Sequence, residues 1–350
     1  MTRSVACFNR SKSPQESGMN RHWTLLWLTG ALLGSVIVAL LVGQYEISSA
    51  RLVQILIDGP QSAVTDPAQR VIWDLRLPRI VAAVFFGLAL AISGAAYQAL
   101  FRNPLVSPDI LGVSAGAALG AVAGIFLSLP IWGIYSLAFI AGLGVVGLVW
   151  LIANRFRASD TLLHMVLIGI VIGALAGAAT SLLKVLADPY DQLPAMTFWL
   201  LGSLSGIAKQ EVGLGLALIS ACGLVLLALR HRLNALVLPD EEAQSMGINL
   251  SALRLVVIVC STLMTACVVS MAGVIGWIGL MVPHIARLMV GPSLPLLLPA
   301  TTLIGASLLL IIDTLARTLT VTEVPIGVLT AVIGSPIFLM VLLRSRGSRL

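Results

Sequence analysis

The stretch Asp74–Gly112, DLRLPRIVAAVFFGLALAISGAAYQALFRNPLVSPDILG, places two arginines ahead of an apolar run and closes that run with a proline-punctuated polar segment. The run from 80 to 100 has the ~20 apolar residues that a helix needs to cross bilayer hydrocarbon. Such runs recur along the chain. Hydrophobic residues make up 58% of the sequence and charged ones only 10%, and the mean hydropathy is +1.02. That is far from a soluble domain. Inside lipid only helices and closed barrels satisfy every backbone N–H and C=O, and long uninterrupted apolar runs are not the alternating pattern of a barrel. The fold class is therefore all-α, a polytopic membrane protein in one bundle.

Ten spans are expected, near 23–43, 80–100, 112–129, 136–154, 162–186, 212–229, 255–272, 274–291, 296–313 and 325–343. Glycines such as Gly116, Gly120 and Gly124 let helices approach closely and mark packing surfaces. With both termini inside, the inner side holds Arg3, Arg10, Lys12, Arg21, Arg102, Arg155, Arg157, Arg230, Arg232, Arg254, Arg287, Arg344, Arg346 and Arg349, which is 14 of the 21 basic residues. The positive-inside rule then puts both termini in the cytoplasm. The net charge of +6 reflects topology, not nucleic-acid binding. This gives a cytoplasmic polar tail at 1–22, a single transmembrane domain at 23–343 and a basic cytoplasmic tail at 344–350. The first span reads as a retained signal anchor, with Met19 as an alternative start.

Several functions are disfavoured by what the spans contain. Cys222, Cys260 and Cys267 lie in apolar spans without metal-ligand spacing, so they read as small core hydrophobes. Lys184, Arg254 and Asp313 fall near span ends, within reach of the interface, which leaves an ion-coupled carrier little to work with. No catalytic set, metal site or cofactor is expected. No Gly-Lys dipeptide occurs, so the phosphate-binding loop of an ATPase is missing and any ATP is used by another subunit.

Two polar features remain. Arg76 and Arg79, at the expected outer N-terminal end of the second span, are opposed by the helix dipole and by the positive-inside tendency. Spaced i and i+3, they share a face and suit an acidic partner, or else a local pair with Asp74 or lipid phosphate. Arg102–Asp109 is a rigid inner turn or a contact site, and its prolines stop the helix. The inner segment at about 233–250 carries Asp240-Glu241-Glu242 after Pro239 and ends on Gly247. This pattern predicts a short helix, serving either to couple the bundle to a soluble subunit or as a solvated loop.

These residues carry a resemblance. LRLPR (75–79), SG-x3-Q (93–98), RNPLVSPDILG (102–112), GVIGWIGLMVPHIAR (273–287), LLLPATTLIGA (296–306), D-x3-R (313–317) and EVPIGVLTAVIGSPIF (323–338) resemble, in order, the FecCD family. Its members are permeases of type II ATP-binding-cassette importers. The pattern is closest to iron–siderophore permeases, with haem and cobalamin carriers as alternatives. The resemblance implies a ten-helix subunit paired with a second permease, identical or related, in the bacterial cytoplasmic membrane. It also implies two cytoplasmic ATPases and an extracytoplasmic substrate-binding protein. Arg76, Arg79 and Arg317 match arginines that receive the binding protein's acids. Leu238, Pro239, Asp240, Glu241, Ala243, Met246 and Gly247 match the segment that couples to the ATPase, with Pro239 and Met246 in place of the usual Gly and Leu. Gly291-Pro292-Ser293 stands where a basic segment is usual, and both departures imply an adapted ATPase partner.

Overall fold

The computed structural model describes residues 14–60, 66–155, 161–207 and 209–347. All regular structure among them is helical: α1 (Pro14–Leu41), α2 (Ser49–Asp58), α3 (Pro67–Arg70), α4 (Leu77–Leu100), α5 (Val113–Phe126), α6 (Ile131–Arg155), α7 (Thr161–Leu186), α8 (Gln192–Leu201), α9 (Lys209–Ala228), α10 (Arg230–Leu233), α11 (Asp240–Ser245), α12 (Leu250–Ala272), α13 (Ile278–Val290), α14 (Leu294–Ala316) and α15 (Ile326–Gly347). Each expected span has its helix, in α1, α4 to α7, α9 and α12 to α15. Six of the described helical stretches are long and apolar enough to cross a membrane, and α9 counts as a seventh if it forms one span with the bent segment after it, while α5, α13 and α15 are shorter apolar helices. The tail expected at 1–22 lies outside the described residues up to 13, and α1 already begins at Pro14.

The innermost helices are α4 and α12. α4 packs on α14, α12, α13 and α9, and α5 lies against α6 and α7. Glycine sets the two tightest crossings. A Cβ on Gly87 would collide with the carbonyl of Gly305 on α14, and one on Gly94 with that of Gly279 on α13. The backbones therefore touch directly, which suits a bundle without a hydrophobic drive between its helices.

The arginine-bearing helix begins earlier than the sequence pattern suggests. Asp66 accepts from Ala68 N and Pro67 takes the first helical position. The chain then runs through a wide turn, Val71–Arg76, straight into α4. Pro78 explains the wide turn, because its ring cannot fit against the carbonyl four residues back and an extra residue relieves the clash. Arg76 and Arg79 thus lie well inside a continuous helical rod, and the opposing-dipole argument no longer applies to them.

Two short helices escape the span pattern. α2 and α8 each have 10 residues, too few to cross. α8 ends on Gly202, where three helix ends converge. Ser203 N donates to Ala272 O at the end of α12 (2.9 Å), and Ile326 N at the start of α15 donates to Gly202 O (2.9 Å). Gly202 (φ 75°), Gly273 (φ 73°) and Trp277 (φ 72°) all take left-handed backbone there. Irregular backbone survives in a membrane protein where protein covers it or a cavity opens beside it.

Candidate functional site

Arg76, Arg79 and Arg317 come together at one end of the bundle, lining a cavity of about 300 Å³ with Gln44, Tyr45 and Glu323. Their hydrogen-bond partners are distant in sequence, and Asp74 is not among them. Arg76, 4% exposed, donates to Leu40 O and Tyr45 O, each at 2.5 Å. Arg317, 7% exposed, donates to Ala39 O at 2.5 Å. Ala39 and Leu40 belong to the last turn of α1, whose final carbonyls have no partner within the helix. Two cations therefore cap a helix C-terminus, where the dipole favours them. Gly43 leaves the room, since a Cβ there would run into the Arg76 guanidinium.

Arg79 is placed differently. Its Nε donates to Asp313 Oδ1 at 2.8 Å and its Nη1 to Glu323 Oε1 at 2.7 Å. Nη2 is buried and has no hydrogen-bond partner among the described residues. Asp313 does not reach the interface as its position near a span end suggested; it is fully buried, held by Arg79 with Arg317 Nε 3.9 Å from its other oxygen. Three arginines against Asp313 and Glu323 leave one excess positive charge. The D-x3-R spacing carried part of this signal, because a carboxylate that close to a membrane span calls for a counter-charge.

A second cavity, of about 610 Å³, shares Glu323 and Ser205 with the arginine pocket. Its wall combines Tyr135, Phe198 and Trp199 with the hydroxyls of Ser203 and Thr322, directly above the convergent helix ends.

The segment that the family resemblance assigns to coupling lies at the opposite end of α12. There α11 starts at Asp240 after Pro239, and Gly247 (φ 74°) ends the segment. Ala243 is fully buried and Met246 is 63% exposed. Leu238 is half-buried, and Pro239 and Glu241 lie at the surface of the segment. Asp240 receives Arg254 Nη2 at 2.7 Å on both oxygens and Arg102 Nη2 at 2.6 Å. Arg102, itself at φ 48°, also donates to Leu236 O at 2.8 Å. The Arg254 and Arg102 guanidinium groups hold the Asp240 carboxyl below the usual carboxylate range. One carboxylate thus ties the short helix to α12 and to the turn that follows α4. Sequence patterns do not connect Arg102 with Asp240, because 138 residues part them.

Among the described residues, an all-helical bundle with membrane-length apolar helices, a short surface helix clamped to its core and cavities at both ends fits a polytopic permease. The profile of the FecCD transport family matches residues 31–344, and the chain belongs to that family of ATP-binding-cassette importer permeases. Among its relatives, the molybdate import system permease protein MolB of Haemophilus influenzae is 38% identical over 315 residues, covering 90% of this chain and 93% of that protein. The cobalamin import system permease protein BtuC of Halobacterium salinarum is 41% identical over 290 residues, covering 83% and 77%. A solved structure described as an inward-facing conformation of a metal-chelate type ABC transporter matches with a TM-score of 0.83 at 36% identity, over 91% of this chain and 98% of its own.

Proposed function

We propose that this permease carries an intact metal chelate, an iron–siderophore first, inward across the bacterial cytoplasmic membrane. It works as one half of a permease pair, driven by two cytoplasmic ATPases and fed by an extracytoplasmic binding protein. The observation that carries the chelate reading is the wall of the larger cavity. Tyr135, Phe198, Trp199, Ser203 and Thr322 offer aromatic faces and hydroxyls, which suit the covered surface of a chelate. A bare divalent ion needs clustered carboxylates, imidazoles or thiolates instead.

In this reading ATP binding and hydrolysis on the partner subunits push α11, and the Asp240 clamp passes the movement to α12 and to the turn after α4. The bundle then alternates between outward-open and inward-open states. Leu238, Pro239, Met246 and Gly247 form the surface that meets the ATPase, with Glu241 at its edge where the neighbouring cavity opens, while Ala243 seats the helix. At the outer end Arg79 receives a carboxylate of the binding protein by exchanging it for Glu323, the more exposed of its two partners. Arg76 and Arg317 shape the pocket around it.

The test is uptake by the assembled transporter in proteoliposomes containing ATP, offered ferric siderophores, hemin, cobalamin or molybdate in turn. Accumulation of a ferric siderophore with stimulated ATP hydrolysis is the expected result. Accumulation of molybdate alone would overturn the chelate reading.

A further inference from the structure

A cavity larger than either of those above lies at the end that carries α11, and the mechanism above does not use its volume. It measures about 940 Å³ and opens between α6, α7, α11 and α12, with Arg102, Arg254, Asp240 and Glu241 at its polar end. Trp150, Leu255 and Ile258 line it and also line a second trough of about 330 Å³. That trough runs between α6 and α12 past Gly147, Val259 and Leu263 and is almost wholly apolar. The two form one path from a charged mouth to an apolar groove on the membrane face, where Leu255 and Val259 are 47% and 44% exposed.

Its dimensions and charges specify an occupant. From Arg254 to Leu263 the helix rises about 13 Å at 1.5 Å per residue, close to the depth of one leaflet of a ~30 Å hydrocarbon core. Trp150 sits at the junction, as aromatic residues do at headgroup level. The mouth carries two positive and two negative side chains, so it matches a ligand bearing both signs. Asp240 takes only Nη2 of Arg254, Nε being buried, and a guanidinium already bound to one acid retains donors for another. A single anionic head would leave Glu241 facing it.

We infer that this path binds one zwitterionic phospholipid with a primary ammonium headgroup, of the phosphatidylethanolamine type. Its phosphate lies against Arg254 and Arg102, its ammonium against Glu241, and one acyl chain runs along Gly147 and Val259. The headgroup touches the same Asp240 clamp that holds α11, so the lipid steadies the coupling helix.

The assembled transporter, delipidated and exposed to equal amounts of phosphatidylethanolamine, phosphatidylcholine and phosphatidylglycerol, is examined by native mass spectrometry. Phosphatidylethanolamine should be retained about tenfold over phosphatidylcholine, as expected for losing one charge-assisted hydrogen bond. Gly147→Trp should abolish retention with unchanged thermal unfolding, because a Cβ at Gly147 meets nothing within 4 Å and the ring fills the groove. Val259→Trp serves as a second block. Glu241→Gln should erase the preference between the two zwitterions without abolishing binding. Equal retention of all three lipids, or undiminished retention in both blocked variants, would overturn the site. So would a photoreactive residue at Val259 in the assembled transporter that captures another subunit instead of lipid.

Discussion

At the scale of single residues, the arginines that sequence logic assigns to one task divide between two. Arg76 and Arg317 end on the carbonyls of α1, whereas Arg79 bridges two acids. Arg79→Glu is therefore expected to weaken capture of the binding protein in a titration on the nanodisc-embedded transporter. Glu323→Gln should strengthen it, since the pocket loses its internal competitor. Asp313 is the structural member of the cluster. Replacing it by Ala takes the carboxylate from the buried Arg317 and one of two from Arg79, a change of the kind that costs about 3–5 kcal/mol, and thermal unfolding in detergent should register it. Glu323→Gln removes a half-exposed pair worth at most about 1 kcal/mol and should leave unfolding nearly unchanged. That Arg76 and Arg79 belong to one polar cluster was legible because cations are rare beside an apolar span. Its wiring was not, because Arg79 and Glu323 are separated by 244 residues and no local pattern pairs them.

At the scale of elements, long apolar periodicity marked every span, while α2 and α8 stayed hidden because a membrane-length window averages over 10-residue helices. The short helix α11 was legible from its own chemistry: acids in its first turn and a glycine stop. What holds it came from elsewhere in the chain. The Asp240 pairs are partly exposed and add little stability, so their work is positional. Asp240→Asn should lower substrate transported per ATP several-fold in proteoliposomes while assembly with the ATPase persists. The pH dependence has a definite sign. A carboxyl held below its ordinary value keeps its ion pairs at every pH above about 3.9 and loses them only as pH falls through the lower folded value. Wild-type coupling should therefore show no titration of this clamp between about pH 5 and 8. Ala243→Pro is the stronger disruption of the helix itself. It deletes the bond from Ala243 N to Pro239 O, 3.1 Å, and fills a fully buried position. A proline at Glu241 would be milder, since the first turn of a helix tolerates one.

At the scale of the whole molecule, both ends of the bundle carry ion pairs, and what accompanies them differs. One end is clamped by ion pairs that join a surface helix to two core elements. The other is a junction of broken helices beneath a cavity, where the ends of α8, α12 and α15 meet through backbone bonds. Backbone bonds between helix ends can be re-made in a second arrangement with little side-chain repacking, so the junction suits the moving part and the clamp suits the lever. Cargo size should then be decided at the junction. Gly206 lines the 610 Å³ cavity, and a Cβ there meets nothing within 4 Å, so Gly206→Trp narrows the cavity without disturbing the packing below it. If an intact chelate passes this way, the variant should lose most ferric siderophore uptake while the binding protein still docks and basal ATP hydrolysis continues. Undiminished uptake of the chelate would place its path elsewhere in the permease pair.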